Sequence, residues 1–242
     1  MKIYIAALLL LSNLFIGNAQ EVDEVSGPQV DPGKGKINVQ FVAGILNATP
    51  VGVEARMMRN QIKDMENSNS SYSASLLPKT SAYVGVNVDY QFHKIGAIGF
   101  GVTYTPKGYW FFEKDTDLDL RKKTFITVDY FEIPIFYKEY LMDNKFAVRF
   151  GPVINLAVIS KNRTITTIAG EKTKEKSRLG ENGDPLPREI VPGFEAAVSF
   201  GDLGGFHGNF QFQYMGSMFK DQAEMDLRSV IFKVGVGYTF SK

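Results

Sequence analysis

Residues 81–92 read Ser-Ala-Tyr-Val-Gly-Val-Asn-Val-Asp-Tyr-Gln-Phe. Ala82, Val84, Val86, Val88, Tyr90 and Phe92 are apolar, while Ser81, Gly85, Asn87, Asp89 and Gln91 between them are small or polar. Extended backbone sends successive side chains to opposite faces, so this stretch predicts a strand with one greasy and one wet face. Working outward, the same alternation returns at Ile98 to Tyr104, at Phe146 to Phe150 with Ile154 to Val158, and at Phe194 to Phe200. Further copies run through Phe206 to Tyr214 and Val230 to Phe240, with a first strand at Ile37 to Ile45. Thr124 to Tyr137 changes phase: Ile126 and Val128 point one way, Phe131, Ile133 and Ile135 the other. A bulge near Tyr130 would reconcile them. The total is roughly eight strands.

The connections alternate in length. His93–Gly96, Leu141–Lys145 and Gly201–Gly205 are short, whereas Asn47–Pro78, Trp110–Lys123, Asn162–Glu189 and Lys220–Asp226 are long and polar. An even number of antiparallel strands, short turns at one end and long loops at the other is the plan of an outer-membrane barrel. The expected fold is therefore all-β: a transmembrane, antiparallel, up-and-down β-barrel over residues 37–242. Threading the strands gathers Tyr90, Phe92, Tyr137, Phe146, Phe200, Phe206, Tyr238 and Phe240 at the short-turn end. Tyr104, Tyr109, Trp110, Tyr214 and Phe219 fall at the other. Two aromatic girdles are expected from that banding.

The first residues address the chain to that compartment. Lys2 precedes an apolar run from Ile3 to Ile16, and Gly17 and Ala19 supply small residues before Gln20. Residues 1–19 thus read as a signal peptide cleaved after Ala19, and residues 20–36, rich in Gly and Pro without periodicity, as a linker. No later stretch is apolar for the 18 residues that mark a spanning helix. Formal net charge is +1, from 27 basic and 26 acidic residues, so no overall field favours nucleic acid. Zero cysteines exclude disulfides, thiolate metal sites and a catalytic Cys.

If the apolar face meets lipid, the alternate residues line the lumen. These include Asn38, Gln40, Asn87, Asp89, Gln91, Arg149, Asn155, Glu195, His207, Gln211, Gln213 and Lys233. Eight strands enclose an interior just wide enough for side chains to fill. Unpaired charge there is costly, so Asp89, Glu132, Arg149, Glu195 and Lys233 are the candidate lumenal charge network. Structural filling is the first reading of it, gating or ligand binding the second. Neither His93, in a short turn, nor His207, among Asn and Gln, has sequence neighbours that suggest nucleophilic catalysis. No enzyme activity and no cofactor are expected.

Several segments resemble the PorT-type outer-membrane β-barrel family common in Bacteroidetes. They are Gly85-Val-Asn-Val-Asp-Tyr90, Gly99-Phe-Gly-Val-Thr-Tyr-Thr-Pro-Lys-Gly108, Tyr130-Phe-Glu-Ile-Pro-Ile135, Gly151-Pro152 and Gly235-Val-Gly-Tyr-Thr-Phe240. The resemblance covers most of the mature chain and implies a barrel in a bacterial outer membrane, with a protein-secretion and gliding machinery as one assembly it could join. Many outer-membrane barrels end on an aromatic, whereas Ser241 and Lys242 follow Phe240 here. The residues favour a non-enzymatic barrel with a filled, non-conducting lumen and long extracellular loops for interaction. A secretion-complex component and a narrow porin for small solutes are the alternatives. Expected partners are outer-membrane lipid, the barrel-assembly machinery and secretion-complex proteins, with no nucleic acid.

Overall fold

The computed structural model describes residues 35–141, 145–180, 186–219 and 227–241. The expected signal peptide and all but the last two residues of the linker lie outside them. Nine strands and one helix follow in order: β1 (Lys36–Val51), α1 (Val53–Ser68), β2 (Tyr72–Gln91), β3 (Gly96–Asp115), β4 (Leu120–Leu141), β5 (Phe146–Ile168), β6 (Glu171–Ser177), β7 (Ile190–Gly201), β8 (Phe206–Met215) and β9 (Arg228–Ser241).

Each strand pairs antiparallel with its neighbours, β1 to β2 through β4 to β5, then β5 to β7 to β8 to β9. Pairing of β1 with β9 closes the ring, with Asn38 opposite Ser241 and Val51 opposite Arg228. Eight strands form it. The ninth, β6, pairs with the outer end of β5 (Asn162–Ile168) and stands outside. Closure leaves no ring strand with an open edge, which is what a sheet in hydrocarbon requires.

Period two carries through to burial. Val84 is 59% exposed and Val234 58%, whereas Asn87 and Asp89 are 1% exposed. A greasy exterior around a polar interior inverts a soluble protein and suits a wall facing lipid. β4 keeps one phase throughout, with Ile126, Val128, Tyr130 and Glu132 all buried. The expected bulge lies on the facing strand instead: Asp129 pairs with Ile159 but Tyr130 with Ala157, which leaves Val158 as the extra residue of β5. At the short-turn end Phe206, Tyr238 and Phe240 pack in succession, with ring centroids 4.7 and 4.6 Å apart.

Three segments expected as polar loops are built differently. β3 and β4 continue as a hairpin to Asp115 and Leu120, and β5 with β6 occupies much of 162–189. The 47–78 segment holds the end of β1, α1 and the start of β2. High polarity concealed these strands because they stand above the lipid, where neither face needs to be greasy. Two aromatics assigned to the upper girdle lie inside instead: Tyr109 is buried, on the inward phase set by Lys107, and Phe219 is buried beside Met218. The Lys220–Asp226 loop lies outside the described residues.

Candidate functional site

Inward-facing residues divide the lumen into polar layers beneath an apolar cap. Nearest the short turns, Asp89 of β2 accepts hydrogen bonds from Asn38 Nδ2 and from the Tyr140 hydroxyl, each at 2.8 Å. Lys138 lies 3.2 Å from the other carboxylate oxygen and 4.5 Å from the centre of the Tyr140 ring. Gln40 of β1 and His207 of β8 bond across the intervening β9.

In the next layer Arg149 of β5 lies 3.3 Å from the Glu195 carboxylate of β7. Arg149 also donates to Gln211 Oε1 at 3.1 Å, and Gln211 bonds Glu195 in turn. The guanidinium covers the Phe136 ring at 5.0 Å.

Above these, Glu132 of β4 holds two cations at once: Lys107 of β3 at 2.5 Å and Lys233 of β9. All three side chains are buried. β4 and β9 stand four strands apart in the ring of eight, so the Glu132–Lys233 pair spans the diameter. Lys107 makes a second crossing, reaching Met215 Sδ of β8 at 3.4 Å, and donates to Asn155 Oδ1 at 2.7 Å. That oxygen also accepts from Gln213 at 3.0 Å. The Tyr130 ring lies 5.3 Å from Lys107 Nζ and the Tyr83 ring 5.6 Å from Lys233 Nζ, contacts that offset part of the ammonium desolvation.

Over this layer sits an apolar cluster. Leu46, Val128, Val191, Met215 and Ile231 line its wall, Met218, Phe219 and Leu227 enter from the β8–β9 side, and Ala55 and Ile62 of α1 join with Ala74 and Leu76 of β2. Glu66 ties the helix to the wall by accepting the Ala74 N–H at 3.1 Å. At the rim, the Tyr72 hydroxyl donates to Glu113 at 3.1 Å, and burial and that carboxylate push its phenol up to about 12.

Of the residues singled out from sequence, Glu132 and Lys233 meet directly, and Arg149 meets Glu195. Asp89 belongs to the lower layer and pairs with Lys138. Lys107 and Lys138 were missed, although the alternation was able to place both. Lys107 is three residues beyond outward-facing Tyr104, and Lys138 follows outward-facing Tyr137; each fell past the strand end read from apolarity. Among the described residues no group of His, Cys, Asp and Glu could hold a metal ion.

The family model for the outer membrane protein beta-barrel domain matches residues 46–182, more than half of the chain. No curated protein matches. Similar solved structures include Ail, the attachment invasion locus protein of Yersinia pestis, at 9% identity and TM-score 0.38, with 86% of this chain and 99% of that one covered. OprG from Pseudomonas aeruginosa is 11% identical at TM-score 0.38, covering 87% and 99%. The outer membrane protease OmpT from Escherichia coli is 8% identical at TM-score 0.29, covering 85% and 97%.

Proposed function

This chain belongs to the outer membrane protein beta-barrel domain family and lies in an outer membrane, and from that premise we propose that it is a non-enzymatic, non-conducting barrel whose extracellular elements mediate interaction. The observation that carries this reading is the pair of diametral crossings, Glu132 to Lys233 and Lys107 to Met215. Side chains that meet across the full width of the lumen leave an ion no continuous water path at that level. The apolar cluster above adds a second barrier, because hydrated ions do not enter a hydrophobic constriction. For catalysis, the lumenal carboxylates are each engaged by a cation, which opposes a general acid or base role. Reconstitution in planar bilayers tests the reading: the expected trace is flat at moderate voltage, and steady conductance of porin size would overturn it.

A secretion-complex role is the second reading. It rests on the Tyr130-Phe-Glu-Ile-Pro-Ile135 and Tyr104-Thr-Pro-Lys-Gly108 segments. Crosslinking in native membranes tests it, with recovery of a secretion component expected and recovery of the barrel-assembly machinery alone counting against it.

A further inference from the structure

The sheet that rises above the lipid separates its charges by face. Register across β3, β4, β5 and β6 aligns Trp110, Phe125, Arg163 and Lys176 in one outward row. Phe112, Lys123, Ile165 and Lys174 form the next, and Lys114, Arg121, Thr167 and Lys172 the one above. Tyr109 and Ile126 lie in the interior cluster, which fixes these intervening rows on the outside. Every basic residue in them is exposed, and no acidic residue accompanies them. The opposite face carries Glu113, Asp115, Glu171 and Glu175, and its single cation, Lys122, is 3.4 Å from Glu113.

The basic face continues the lipid-facing wall. Below it on β3 run Ile98, Phe100 and Val102, all exposed. Polar groups enter the outer surface with exposed Lys161, which lies 3.5 Å from the buried Asp129 carboxylate. At this level Trp110, Phe112 and Phe125 pack edge to face with centroids 5.7 to 6.4 Å apart, and Lys123 covers the Phe112 ring at 5.5 Å. Apolar band, aromatic belt and then cations is the order in which a membrane presents hydrocarbon, interface and anionic headgroup. From Trp110 to Lys114 the rows climb about 13 Å along the strand at about 3.3 Å per residue.

We propose that the outward face of the β3–β6 wall binds phosphate-bearing headgroups of the surrounding outer leaflet, with Lys123, Arg163, Lys174 and Lys176 as the contacting cations. The proposal rests on the barrel's place in the membrane and is independent of whether its lumen conducts.

Trp110 is the single tryptophan and stands at the base of this face, so its fluorescence reports on adjacent lipid. The full chain is refolded into phosphatidylcholine vesicles containing trace brominated phosphatidic acid or, separately, brominated phosphatidylcholine. Stronger quenching by the phosphatidic acid at equal mole fraction is expected, by about fivefold in local enrichment for each basic residue engaged, and it should weaken with salt. Lys123→Gln/Arg163→Gln/Lys176→Gln should abolish the preference, and Lys122→Gln on the opposite face should retain it. If the triple variant does not refold, Lys172→Gln/Lys174→Gln on β6 should still reduce the preference. Equal quenching by the two lipids would overturn the proposal, as would a preference that survives the outward-face variants. So would heparin binding from solution without any lipid preference.

Discussion

Glu132 is the residue on which the lumen's electrostatics turn. It is buried between two ammonium groups, and removing its charge leaves both cations without a carboxylate partner. Breaking a buried pair from one side costs about 3–5 kcal/mol, whereas replacing all partners with apolar side chains of similar volume is near neutral. Glu132→Gln should therefore lower stability by about that amount, and Lys107→Met/Glu132→Leu/Lys233→Met should recover most of it. Urea unfolding in lipid vesicles measures both, and equal losses in the two variants would place the stability elsewhere. The pair was half legible in sequence. Glu132 and Lys107 both stand in segments that carried the family resemblance, Tyr-Phe-Glu-Ile-Pro and Tyr-Thr-Pro-Lys-Gly, but period two assigns a face without saying which strands will lie opposite. Next to Lys107, Gly108 has φ +147°, and a Cβ there would come within 1.9 Å of the Ile126 carbonyl oxygen. Gly108→Ala should cost at least about 1–3 kcal/mol from backbone strain, read in the same unfolding experiment.

At the scale of the element, the same spacing of side chains is used under two solvents. Within the bilayer the outward face must be apolar, so Val234→Arg near the midplane should cost about 2–4 kcal/mol. Thr173→Arg, exposed on β6 outside the ring, should fall within about 0.5 kcal/mol of neutral. Refolding yield and urea midpoints in vesicles compare them, and equal effects would contradict the lipid-facing assignment. This difference also explains which elements the sequence revealed. Strands within the bilayer announce themselves because one solvent enforces alternation, while β6 and the upper ends of β2 to β5 have water available and need none. α1 escaped for another reason: Ala55 and Ile62 are its buried residues, too sparse a stripe to stand out within a polar 47–78 segment. Ile62→Ala should cost about 2–5 kcal/mol locally, appearing as faster proteolysis within Val53–Ser68 while the barrel retains its heat-modifiable migration on gels.

For the whole molecule, closure of the ring and closure of the lumen have different origins. Hydrogen bonds of β1 with β9 close the ring, and any sequence that satisfies eight paired strands would achieve it. The lumen is closed by two separable devices in series, ion pairs across the barrel and the apolar cluster with α1 above them. Series barriers predict a distinctive pattern, since removing either one leaves the other blocking the same path. Replacing Val53–Ser68 with a short Gly-Ser linker should leave the trace in planar bilayers flat, because the Glu132 crossings persist beneath. Truncating the crossings alone, with Lys107→Ala/Glu132→Ala/Lys233→Ala, should also leave it flat, because Leu46, Val128 and Ile231 remain packed above. Combining the two should produce discrete conductance steps. Steps from the linker variant alone would identify α1 as the sole plug, and a flat trace from the combined variant, shown to be folded by its heat-modifiable migration, would mean that Arg149, Glu195 and the layer around Asp89 are sufficient to occlude the barrel.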